Sequence, residues 1–204
     1  MAQARVKARA PRKESRRKEP VFGERFAVFA EALLTGVWIA VACLGVVTYP
    51  AAFAAGARHL RRRIAHEGGG LREFGADFRA AVRGGWVVGL AGWAVAVAVR
   101  VDVMAARAGI PGGPLVGAVG VFALIAATVA LLRAAAVWTP GAAWRALLAD
   151  AGRRTVLDPA GSFLVVCGLA VVALSAWFVP PLAVPVLGAV AAAAVAVEER
   201  HRHR

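Results

Sequence analysis

The sequence has few of the residues that sulfur or metal chemistry uses: two cysteines and four histidines in 204 residues. Cys43 and Cys167 both fall inside apolar runs, where a lone thiol packs as a small hydrophobe. Two cysteines so placed form neither a disulfide framework nor a paired zinc motif. Enzyme motifs are missing as well. His66-Glu67 lacks the second histidine of a zinc-binding helix, and Gly68-Gly69-Gly70 lacks the lysine and hydroxyl residue of a phosphate loop. No serine, histidine and carboxylate stand at a catalytic spacing. His201 and His203 alternate with arginines and read as solvated charge. These absences predict a protein without catalytic residues, cofactor or metal. Internal repeats, which many secondary transporters carry, are not evident either.

Acidic residues are scarce: 12 Asp and Glu stand against 25 Lys and Arg, a formal net charge of +13. Charge is confined to tails and connections, whereas a soluble domain needs polar residues along every element. Basic side chains flanking apolar runs suit anionic lipid headgroups and orientation signals better than nucleic acid.

What is abundant is apolar length. About 20 apolar residues in a helix cross ~30 Å of hydrocarbon, and the runs 26–48, 84–106, 114–138, 161–179 and 181–197 approach or exceed that. The expected fold is an all-α polytopic transmembrane bundle of about five apolar helices. It is flanked by a disordered basic tail over 1–22 and a short basic tail over 199–204, with one helical domain over 23–198. The first run is too long for a cleavable signal core, so it stays as an uncleaved helix. Glu19 and Pro20 also interrupt the twin-arginine-like Ser15-Arg16-Arg17.

Arginine placement gives an orientation. The connection 107–113 is short and nearly uncharged, which suits the outer face. The segments 50–83 and 133–160, with seven and four basic residues, then lie in the cytoplasm with the C-terminal tail. One conflict is left. Residues 1–25 hold nine basic residues, yet a full crossing separates them from 50–83. Either the rule is broken once or the first run does not cross. The side of the N-terminal tail stays open.

Between the first two runs, Thr48-Tyr49-Pro50 ends a helix. Ala51–His66 resumes as helix, with Arg58, Arg61, Arg62 and Arg63 reaching for headgroup phosphates, and Gly68–Gly70 forms a hinge. Leu71–Arg83 is amphipathic: Leu71, Phe74, Phe78, Ala81 and Val82 share one arc. It lies either on the inner leaflet or against the ends of the bundle. Gly85, Gly89 and Gly92, and Gly113, Gly117 and Gly120, form small-residue faces on the second and third runs that admit close helix approach. The tryptophans mostly sit near run ends, as headgroup anchors do.

The stretch VVTYPAAFAAGARHLRRRIAHEGGGLREFGADFRAAVRGGW resembles the signature of the YesL-like family of bacterial membrane proteins. Thr48, Pro50, Ala51 and Ala52 match its small-residue break, and Phe74, Phe78 and Arg79 its aromatic–arginine segment. Where members carry asparagines, this chain has Glu31 and Ala80 nearby, so no role for those asparagines transfers. The resemblance implies a plasma-membrane protein associated with carbohydrate uptake and brings no catalytic residues. The function expected is a non-enzymatic accessory component of such uptake, with a transporter permease as partner. The alternative is a small self-associated transporter or channel built around Glu31, Arg100 and Asp102, since charges inside a span mark functional sites by default.

Overall fold

The computed structural model describes residues 21–202, and the expected N-terminal tail lies almost wholly outside them. Seven α-helices run in order: α1 Val21–Ala42, α2 Tyr49–Ile64, α3 Leu71–Arg107, α4 Gly113–Val137, α5 Trp144–Leu157, α6 Pro159–Phe178 and α7 Pro180–Arg202. No strand occurs among the described residues. The all-α bundle expected from the sequence is what forms. α3, α4, α6 and residues Pro180–Arg200 of α7 are long and apolar enough to cross a membrane, and a shorter apolar helix covers Phe29–Gly45.

That shorter helix bears on the charge conflict. After α1 and a 3-10 turn over Cys43–Gly45 the chain reverses, and α2 runs back antiparallel to α1. The reversal has local causes. Thr48 Oγ1 donates to Ala42 O at 2.7 Å, and Pro50 sits in the first turn of α2, where its missing N–H costs nothing. Val46 adopts φ 51°, a conformation a β-branched residue takes only under constraint. The Trp93 indole N–H, from α3, donates to Val46 O at 3.1 Å and holds it there. The turn residues Cys43, Val46 and Tyr49 share a groove with Gly92 and Trp93 of α3 and with Leu124 and Thr128 of α4. They therefore meet α4 near its midpoint. The tip of the α1/α2 hairpin reaches only the middle of α4 before the chain returns, so the start of α1 and the arginines of α2 lie together at one end of the bundle, the basic end.

α2 is the centre of the packing. Ala51, Ala52, Ala54, Ala55 and Ala57 have no exposed surface, and α1, α3, α4 and α7 all contact the helix. Alanine lets four helices approach at short range, where dispersion between close-packed atoms replaces the hydrophobic drive that lipid does not supply. α2 ends in a Schellman motif: His66 takes φ 56°, His66 N–H bonds Arg63 O at 3.1 Å and Glu67 N–H bonds Arg62 O at 2.8 Å.

The small-residue faces find their partners here. Gly85 of α3 lies against Ala51, Gly89 against the Val47 carbonyl, and Gly92 against the Tyr49 hydroxyl. Gly113 and Gly117 of α4 lie against Ala106. A further close approach joins Gly36 of α1 to Gly188 of α7, where a Cβ on Gly36 would come within 2.8 Å of the Gly188 nitrogen.

Four expectations change. The amphipathic segment 71–83 and the run 84–106 form one continuous helix, because nothing between them breaks it: Gly84-Gly85 is accommodated against Trp144 and Ala51. The segment 133–160 contains α5, a helix not foreseen, whose Trp144 is buried and donates its indole N–H to Ala81 O at 3.2 Å. The tail from 199 is helical as far as Arg202. Trp138 and Trp144 are buried packing residues and Trp38 stacks edge-on to His59, while Trp177 keeps the exposure that suits an anchor.

Replacing Gly89 or Gly188 by leucine puts a side chain where a neighbouring backbone carbonyl already sits. Each substitution is expected to destabilise the protein by a few kcal/mol of overpacking, read as a strong fall in its melting temperature in detergent by fluorescence size exclusion. Gly152→Leu, at an open position of α5, should leave it nearly unchanged in the same fluorescence size-exclusion assay.

Candidate functional site

The basic end carries two ion-pair clusters. The first is built on the C-terminal half of α2. Asp77 of α3 pairs with Arg58 (Nη1–Oδ1 3.3 Å) and with Arg62 (Nη2–Oδ2 2.9 Å). Glu31 of α1 receives His59 Nε2 and Arg63 Nη2, each 2.9 Å from the same Oε1. Arg61 donates to the carbonyls of Ala136 and Trp138, placing a cation where the α4 dipole ends. His59 is fully buried, between Trp38 and the chain at Gly69. At the start of α3, Gly70 N–H donates to the Glu73 carboxylate at 2.8 Å, which holds that carboxyl below its usual range.

The second cluster surrounds Arg133, a fully buried arginine of α4. Its Nε donates to Glu198 Oε1 at 2.7 Å and its Nη2 to Asp158 Oδ2 at 3.2 Å. Nη1 donates to Ser162 Oγ at 3.1 Å and to Arg154 O at 3.3 Å. Arg154 closes the ring by donating to the other Glu198 oxygen. Two arginines thus face two carboxylates, drawn from α4, α5, the α5–α6 junction and α7. Asp158 also caps α6: its Oδ1 accepts from Gly161 N–H at 3.1 Å, with Pro159 following at the first helical position.

The residues singled out from the sequence divide between two places. Glu31 belongs to the first cluster. Arg100 is exposed on α3, and Asp102 is half-buried against Gly120 of α4. Both lie about 25 residues beyond Asp77 on one continuous helix, ~35 Å along its axis. The structure does not bring Glu31 together with them. The headgroup-reaching arginines Arg58, Arg61, Arg62 and Arg63 all make contacts within the protein, and Arg63 is the most exposed of those in ion pairs. Of the family-like residues, Thr48 holds the hairpin turn, Pro50 and Phe74 are buried, Phe74 against Trp38, and Arg79 is exposed.

Arg133, Asp158, Glu198, His59 and Asp77 are members of these two clusters that sequence reasoning does not single out. Asp158-Pro159 is a readable helix-start signal. Nothing in the sequence separates Arg133 from an ordinary loop arginine. Among the described residues no group of three or more His, Cys, Asp or Glu could hold a metal ion. No family model, no curated protein and no solved structure matches this chain.

Both clusters work as clamps. A buried pair deprived of one member leaves an uncompensated charge, which costs about 3–5 kcal/mol. Arg133→Met is therefore expected to destabilise the protein by about that much, read from its unfolding in mixed micelles. Glu198→Gln in the Arg133→Met background should cost much less than Glu198→Gln alone, because coupled partners are not additive.

Proposed function

We propose that this chain is a non-enzymatic multi-pass protein of the bacterial cell membrane, with its basic end in the cytoplasm, serving as an accessory component of carbohydrate uptake. The observation that supports the orientation is the part-way hairpin. It returns the chain to its starting side, so α1, the arginines of α2, the start of α3 and the C-terminal ends of α4 and α7 share one end. The basic segments then need no exception to the positive-inside rule.

The accessory role is supported by the commitment of the charges. Glu31 is held by His59 and Arg63 rather than facing Arg100 and Asp102 across a shared path, which takes support from a transporter built on those three. The link to carbohydrate uptake rests on the YesL-like resemblance over Thr48–Pro50 and Phe74–Arg79. The surface offered to a permease is the outward side of α3 at the basic end, where Leu71, Arg72, Arg79 and Arg83 are exposed or half-exposed, and arginines there also meet anionic headgroups.

Two measurements test this. Single cysteines at Ala65 and Ala149, in a Cys43→Ser/Cys167→Ser background, should react with membrane-impermeant maleimide only after the cells are opened, and a cysteine at Gly109 should react in intact cells. The reverse pattern overturns the orientation. Affinity capture in mild detergent should recover a sugar permease or its ATPase, with recovery reduced several-fold by Arg79→Glu/Arg83→Glu. Sugar or ion flux by the purified protein alone in vesicles would overturn the accessory role.

A further inference from the structure

A cavity lies where the tip of the α1/α2 hairpin meets α4, α6 and α7. It measures ≈ 170 Å³ and is walled by Ile39, Phe53, Leu132, Leu169, Val172 and Leu187, among others. The wall exposes no polar surface, Cys43 being its one sulfur-bearing side chain. Thr128, which also lines it, turns its hydroxyl back to Leu124 O at 2.8 Å. A cavity of about 150 Å³ lined in this way stays dry and takes up apolar molecules the size of benzene, so water is not the occupant.

The cavity is not isolated. Cys43, Tyr49 and Thr128 line both it and a wider groove of ≈ 460 Å³, whose other walls include Gly92, Trp93, Ala96 and Leu124. That groove is open at the surface between the hairpin turn, α3 and α4. Beyond Ala96 and Leu124 the groove adjoins a second depression lined by Val99, Val103 and Met104 together with Arg100 and Arg107. The groove is mainly apolar: the Trp93 N–H is engaged by Val46 O, and the Tyr49 hydroxyl lies against Gly92 at the junction.

Depth selects the occupant. The groove meets α4 near its midpoint, so when α3 and α4 cross a bilayer it opens near the middle of the hydrocarbon layer. The molecules present there are the terminal segments of lipid acyl chains. We propose that the groove and cavity form a binding site for the end of one phospholipid acyl chain, which enters past Trp93 and seats its last ~six carbons, about a benzene's worth, among Phe53, Leu132 and Leu169. The part-way hairpin creates this site, because a full crossing would have filled the space below its tip with helix.

The full-length protein is placed in phosphatidylcholine–phosphatidylglycerol vesicles containing a trace of phosphatidylcholine with a diazirine at the end of one acyl chain. After photolysis, adducts are mapped by peptide mass spectrometry. Adducts on Cys43, Tyr49, Phe53 or Leu132 are expected, together with surface adducts on Phe122 and Trp177. Leu132→Trp should reduce the interior adducts at least tenfold and leave those at Phe122 unchanged. If that variant does not insert, Val172→Phe serves with the same expectation. A probe with the diazirine nearer the glycerol should label Trp93 or Leu124 but not Phe53. Adducts confined to outward-facing residues overturn the proposal, as do interior adducts that survive both fillings. Interior labelling by a polyprenyl diazirine but not by the acyl probe would overturn the assignment to an acyl chain.

Discussion

Neutralising charge at one end of the bundle sets the register of its helices. α2 carries Arg58, Arg61, Arg62 and Arg63 on its last turns, and each cation needs an oxygen that a neighbouring helix supplies. Asp77 fixes α3 beside α2, Glu31 fixes α1, and the carbonyls of Ala136 and Trp138 at the C-terminal end of α4 fix that helix by its dipole. The Arg133 ring does the same for α4, α5, α6 and α7. Apolar helices in lipid slide past one another at little cost. A mispaired buried charge is costly, so the ion pairs supply the specificity that alanine and valine surfaces lack.

Once the register is set, the alanine face of α2 can be buried without any polar group facing lipid. The turn over residues 43–48 has backbone groups outside regular helix, which hydrocarbon does not tolerate unless protein satisfies them. Here Thr48, Trp93 and the turn's own hydrogen bonds do so. Beyond the turn itself, the partner comes from α3, which places Trp93 at that depth.

Much of this is legible from residue pattern. The apolar runs 114–138, 161–179 and 181–197 correspond closely to α4, α6 and the apolar part of α7, because hydropathy over ~20 residues is a strong signal. The glycine faces are readable because small residues three and four apart share a helix side. α5 escapes notice although Trp144, Leu147, Leu148 and Ala151 follow the helical period; its arginines disguise it as a charged connection. The burial of α2 is not legible. Its C-terminal half reads as a solvent- or headgroup-facing helix, and only the oxygens contributed from distant positions, Glu31, Asp77 and Ala136, show otherwise. Arg133 is hidden for the same reason: its partners lie 21 to 65 residues away.

The unbroken course of Leu71–Arg107 gives the molecule a mechanical element. At 37 residues it is a rod of roughly 55 Å, anchored near one end by Asp77 and joined along its other half to α4. No proline interrupts it, so its first turns and its far end belong to one continuous element, held at its middle by Gly85, Gly89 and Trp93 against the hairpin. A protein that grasped Leu71–Arg83 at the basic end would therefore be handling the distant loop at Gly109–Gly113 as well.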